Sequence, residues 1–240
     1  MTMHKIILEG TEWQVIDLMK PYSLDMEVYP GDPKPVRKVF TDIRKEGWQH
    51  YIHEIADHHF QPHADAPKHS NPDEQDKGIE FFGPEYVFNN AFMIDLTENG
   101  ELTSHNGIAF LLEITPGHLS PFEPLFKEKG AVILRTGYDR YLESNQPHDV
   151  SLLPYLTKEA AEYIASFDNL KVIGTDSLTV DPPDSNFAHR LFSKKLLVEA
   201  LVNLHEIPKK NRHGFTLQTA PLKITGASGA PVTAYAFVKI

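Results

Sequence analysis

The sequence predicts a single mixed α/β domain with a sheet core, residues 1–240, and three observations predict it. Nine short stretches rich in β-branched and aliphatic residues are interleaved with two helical ones. The 18 prolines are spread through the chain, which favours short elements joined by tight turns. Apolar residues make up 41% of 240, enough to bury a sizeable core.

Taken in order, the strand-like stretches are residues 13–18, 36–43, 51–55, 91–96, 131–135, 171–173, 196–204, 216–222 and 232–238. Between the first two, Tyr29-Pro30-Gly31-Asp32 fits a type II turn, with proline second and glycine third. Residues 121–129 are a helical candidate feeding directly into 131–135. The clearest helix is 157–167, where Ala160, Ala161, Ile164 and Phe167 share one face and Thr157 is placed to cap the N-terminus.

Composition narrows the function classes. Net charge is −10 with neutral histidine, which argues against a nucleic-acid backbone as partner. No apolar run approaches the length of a membrane span, and Glu9 interrupts the N-terminal apolar stretch before a signal-peptide core could form. Cysteine is absent, so disulfides and thiolate metal sites are excluded. A cytoplasmic location is the expectation.

Six of the 13 histidines (His50, His53, His58, His59, His63 and His69) fall within twenty residues, where uniform scatter would place about one. His59, His63, Asp65 and His69 form the pattern H-x3-H-x-D-x3-H. Imidazole and carboxylate are the natural ligands for zinc or manganese when thiolate is missing. In a straight strand His59 and His63 would stand roughly 13 Å apart, too far to share an ion. Pro62 and Pro67 argue against one continuous helix, so the chain must turn near Gln61-Pro62. Taken alone, the cluster also fits a polar loop.

A second feature lies far along the chain. Glu199 interrupts the apolar run 196–204, and a buried carboxylate there calls for a cation; an edge strand with Glu199 facing water is the alternative. His189 stands ten residues earlier, after Asp181-Pro182-Pro183-Asp184. Three imidazoles and two carboxylates suffice for two close metals if Asp65 bridges them. Asp176 is a candidate for supporting the site or simply for holding a turn. Neither a Gly-x-Ser-x-Gly nucleophile elbow nor a phosphate-binding loop occurs.

The segment from His59 to His69 resembles the H-x-G-T/A-H-x-D-A-P-x-H signature of the kynurenine formamidase and cyclase family of metal-dependent hydrolases. Val28-Tyr29-Pro30-Gly31-Asp32, Ile133-Leu134-Arg135-Thr136-Gly137, Ile173-Gly174-Thr175-Asp176-Ser177, Val180-Asp181-Pro182, the Glu199 strand and Pro221-Leu222-Lys223-Ile224-Thr225-Gly226-Ala227 are similar to further landmarks in the family's order. The resemblance implies a swivelling β/β/α-type fold and a homo-oligomer, dimer or tetramer. It implies His59, His63 and Asp65 as ligands of one metal, Asp65, His189 and Glu199 as ligands of a second, His69 as the general acid/base and Tyr29 beside the substrate. Zinc is the expected ion and manganese the alternative, with one or two ions per subunit.

Two departures stand out. Gln61-Pro62 occupies the place of the family's Gly-Thr or Gly-Ala, and the His189-to-Glu199 spacing is about two residues short. The implied activity is hydrolysis of a C–N amide bond by metal-activated water, with N-formylkynurenine, from tryptophan catabolism, as leading substrate. A cyclic amide or lactone hydrolase of the isatin-hydrolase kind, or a cyclase, is the rival enzyme. A catalytically silent metal-binding protein is the rival of another class.

Overall fold

The computed structural model describes residues 3–58, 61–98 and 101–240. β1 (Met3–Leu8) and β2 (Thr11–Asp17) form an antiparallel hairpin. β3 (Val36–Thr41) and β4 (His50–Glu54), joined through the one-turn helix α1 (Ile43–Glu46), form a separate ribbon. Seven of the strands that follow build the core sheet: β5 (His63–Asp65), β6 (Phe88–Asp95), β7 (Ala131–Arg135), β8 (Val172–Thr175), β9 (Leu196–Glu199), β10 (Phe215–Pro221) and β11 (Gly229–Lys239).

These seven close on themselves in the order β11-β10-β6-β7-β8-β9-β5 and back to β11, a mixed barrel. β6, β7, β8 and β9 run parallel, and the other pairings are antiparallel. The long β11 makes closure possible. Its first three residues pair with β5 while its last five pair with β2, so the β1–β2 hairpin extends the same edge.

Both faces of the central parallel strands are buried, which explains their unbroken apolar runs. Ala131 and Ile133 of β7 point into the barrel with Met93, Val198 and Leu217. Val132 and Leu134 point outward against α3 (Glu123–Glu128), α4 (Lys158–Ala165) and α5 (Phe187–Leu191), where Phe126, Ala161, Ile164 and Ala188 cover them. Thr157 caps α4 as its sequence predicts, accepting the Ala160 amide at 3.2 Å. The Tyr29–Asp32 turn also forms, with Gly31 at φ +99° and the Asp32 amide donating to the Tyr29 carbonyl.

One strand is shorter than expected. The run 196–204 leaves the sheet after Glu199, because Ala200 takes φ +60° and its amide turns to the Ser177 carbonyl. Asp176 proves to hold a turn. Its buried carboxylate accepts the amides of Thr136, Gly137 and Asp139, tying the ends of β7 and β8 together. Burial, and then the neighbouring Asp139, pushes its pKa up to about 7.

Candidate metal centre

The site begins with strand geometry. Successive side chains of a strand alternate faces, so His63 and Asp65 of β5 point the same way. β5 is antiparallel to β9 with His63 opposite Glu199, which sets the two side chains adjacent. Ala64, between His63 and Asp65, faces the barrel interior instead. All three polar side chains are buried, Glu199 at 2% exposure.

Distances describe a compact cluster. His63 Nε2 lies 3.7 Å from Asp65 Oδ1 and 3.5 Å from Glu199 Oε2. His189, delivered by α5, places Nε2 3.0 Å from Asp65 Oδ2 and 3.4 Å from Glu199 Oε1. His58 Nε2 lies 3.2 Å from Asp65 Oδ1. His69, on the one-turn helix α2 (Pro67–Ser70), sets its ring centroid 4.2 Å from that of His58 and 5.6 Å from that of His189.

Two donor groups result, each with its atoms within 4.8 Å of one another. One is His63, Asp65 and Glu199; the other is His58, Asp65 and His69. Asp65 belongs to both.

Of the residues singled out in the sequence, His63, Asp65, His189, Glu199 and His69 therefore converge, and Tyr29 lines the same cleft. His59 lies outside the described residues. The sequence reading did not assign His58, and its only signal was the His58-His59 doublet. Two contacts position it: Asp57 accepts the Ser228 amide and hydroxyl at 3.0 Å each, and Gly229 leaves room beside it. A Cβ on Gly229 would stand 2.5 Å from His58 Nε2.

Asp181 was likewise not assigned a role. Its carboxylate accepts the amides of Ala188 and His189 and lies 2.5 Å from His189 Nδ1. It thereby directs Nε2 toward Asp65 and Glu199.

Electrostatics distinguish the two carboxylates. Burial works to raise Asp65, but the imidazoles of His69, His189 and His58 around it outweigh this and hold Asp65 well below the usual range. Glu199 is raised, by burial and then by Asp65. Burial works to lower His189, yet Glu199, Asp181 and Asp65 carry it well above the ordinary imidazole value.

Among the described residues, both Asp65 oxygens, Glu199 Oε1 and His58 Nε2 are buried without a hydrogen-bond partner. Orphaned buried oxygens carry a penalty of about 1–3 kcal/mol each, more when charged, and a divalent cation would remove it. Nitrogen and oxygen donors alone suit zinc or manganese. The residues fit a metal.

The cluster opens into a cleft of about 310 Å³ whose walls include Glu27, Val28, Tyr29, Gln61, Leu178, Thr179 and Asn186. Gln61 is 4% exposed; its Nε2 donates to the Glu27 carbonyl at 3.2 Å and its Oε1 has no partner among the described residues.

Comparison with known proteins decides the family. Residues 16–182 match the family model described as "Putative cyclase". The chain belongs to that cyclase family. Cyclase-like protein 2 of Oryza sativa subsp. japonica is 26% identical over 184 residues, 72% of this chain. The match spans only 60% of that relative's own length. An isatin hydrolase bound to the product analogue thioisatinate superposes with a TM-score of 0.77 at 20% identity, covering 95% of this chain and 93% of that one. A potential metal-dependent hydrolase with cyclase activity superposes with a TM-score of 0.72 at 20% identity, covering 95% and 99%. At these identities the two structures establish the shared fold. No helix among the described residues is long and apolar enough to cross a membrane.

Proposed function

We propose that this member of the cyclase family is a metal-dependent hydrolase acting on the C–N bond of a small amide. The carrying observation is that Asp65 belongs to two donor groups at once, with its buried oxygens otherwise unpartnered among the described residues. His63, Asp65, His189 and Glu199 would hold the metal, joined by His58 and, by family resemblance, His59. A cation bound there supplies a Lewis acid and brings the pKa of a coordinated water toward about 7. Zinc leads and manganese is the alternative.

The chain's own groups do the rest. Asp181 fixes the tautomer of His189 so that Nε2 is free to ligate. His69, beside the cluster and exposed on one side, would carry a proton at its ring nitrogen to the departing amine. Tyr29, Val28 and Leu178 form the apolar side of the cleft, suited to an aryl group.

Within this class, an N-aryl formamide of the N-formylkynurenine type is the first candidate, on the motif resemblance. A cyclic amide is the second, favoured by the isatin hydrolase among the superposed structures. A cytoplasmic location and a homo-oligomer remain part of the proposal. The β3–β4 ribbon supports the oligomer: Phe40 at 67% and Trp48 at 65% exposure leave it bare, although an isolated two-stranded ribbon is marginal in water. Light scattering at a multiple of the chain mass checks it.

The activity is tested by loading the protein with zinc or manganese and assaying N-formylkynurenine, isatin and an aryl lactone. Metal-dependent release of the amine or of the ring-opened acid supports the reading. Metal binding without turnover on any of the three favours the silent metal-binding protein instead.

A further inference from the structure

We infer that Asn145 is a positioning residue for the cleft: it fixes the wall that carries Val28 and Tyr29, and so sets how tightly an aryl group is held beside the metal centre. The inference rests on the hydrolase reading above and adds to it what gives the apolar wall its specificity.

Residues 21–35 form neither strand nor helix, so no ladder aligns the backbone of this wall. Asn145 takes the place of one. Its Oδ1 accepts the Glu27 amide at 3.3 Å and its Nδ2 donates to the Asp25 carbonyl at 3.3 Å. Lys20 Nζ also donates to Asn145 Oδ1, at 3.1 Å, and to the Leu142 carbonyl at 2.6 Å. An ammonium and a backbone amide donate and a carbonyl accepts, so these partners fix which end of the Asn145 amide is oxygen. From the other side, the Gln61 amide holds the Glu27 carbonyl. Glu27 is thus bonded at both its N–H and its carbonyl, one residue before Val28 and two before Tyr29.

Asn145 can do this because of where it stands. It follows the helix Asp139–Ser144 in the left-handed region, φ +54°, which asparagine tolerates, and its amide donates to the Leu142 carbonyl. The helix is firmly seated, with Tyr141 and Leu142 buried and packed in one cluster with Leu178. Leu178 lines the cleft as well. One helix therefore sets both apolar parts of the cleft, Leu178 by packing and Val28 with Tyr29 through Asn145. The donor groups on β5, β9 and α5 do not depend on it.

The variant for the test is Asn145→Gly, which removes the side chain and keeps the left-handed backbone. Benzohydroxamic acid and acetohydroxamic acid, metal chelators with and without an aryl group, are titrated calorimetrically into the zinc-loaded protein. Wild type is expected to prefer the aryl compound by roughly tenfold. Asn145→Gly should bring the ratio to within about threefold through the aryl compound alone, with acetohydroxamate affinity and metal content unchanged. In hydrogen exchange read by mass spectrometry, residues 25–32 should exchange about fivefold faster in the variant, and residues 63–70 at the wild-type rate.

Equal affinity of wild type for the two probes would overturn the inference, because the wall would then hold no aryl group. An undiminished ratio in the variant would mean that the wall stands without Asn145. Equal weakening of both probes would make Asn145 a general support of the fold. Neither arm requires turnover, so the hydrolase reading is judged separately. If the protein takes up no metal, that reading fails and the exchange arm decides alone: an unchanged rate over residues 25–32 overturns the inference.

Discussion

Asp181 Oδ2 and His189 Nδ1 lie 2.5 Å apart, closer than any other carboxylate–imidazole pair among the described residues. Asp181 sits at the loop before α5 and His189 within it, so the helix and its imidazole are set by one carboxylate. Partners of this kind typically contribute 10- to 100-fold to metal affinity. Asp181→Asn should therefore weaken metal binding by that factor, read by competition with a chelator of known affinity. Unchanged affinity would mean that the rest of α5 orients His189 by itself.

Glu199 should make the metal-free protein less stable than it could be. Its folded pKa is raised by burial and by Asp65, so the folded state binds its proton more tightly than the unfolded state. Stability from this group is full below the ordinary carboxylate value and is lost as pH rises through the raised value. Above it, Glu199→Gln should melt higher than wild type when both are stripped of metal. Chelation should also lower the melting temperature of wild type more than that of Glu199→Gln. Equal shifts would show Glu199 to be solvated and contradict its burial.

His63 and His69 should separate in their effects. His63 lies within the buried strand pair, and His63→Ala should lose metal and activity together. His69 is proposed to transfer a proton, a contribution typically worth 10²- to 10⁴-fold. His69→Ala should then lose roughly 3–5 kcal/mol of transition-state stabilisation while retaining metal. The geometry gives this comparison weight, since His69 also falls in a donor group with His58 and Asp65. Metal loss in His69→Ala as complete as in His63→Ala would make it a ligand.

His148 supplies a pH effect away from the metal. Burial lowers its pKa to about 4, the nearby Glu27 opposing only in part, and its Nδ1 lies 3.0 Å from the Tyr138 hydroxyl. A depressed imidazole contributes stability above the unfolded value of about 6.5 that is lost as pH falls toward 4. Denaturant titrations of wild type and His148→Phe should diverge over that window, with the variant showing the shallower decline. Parallel curves would mean that His148 is free to protonate in the folded chain.

Most of the barrel was legible because burial on both faces writes strands such as Ala131–Arg135 as continuous apolar runs. Its closure was not. That depends on β5, three residues long, pairing with β11 more than 160 residues away, and no local pattern records such a contact. The run 196–204 misled because Ala200 carries no sign of its positive φ. For the site, residue types pointed to His63, Asp65, His189 and Glu199, which the structure sets side by side, and the chain bends at Gln61-Pro62 as expected before His63 and Asp65 enter a strand. His58 was hidden by its adjacent twin, and Asp181 by acting only through another side chain.

Asp65 is proposed as the shared anchor of a divalent metal centre. It is tested most directly by the metal-to-protein ratio of wild type and Asp65→Asn, each loaded with zinc or manganese, desalted and analysed by mass spectrometry. At least one ion per wild-type chain is expected, and almost none in Asp65→Asn. Equal metal in the two proteins, or none in either, would contradict it.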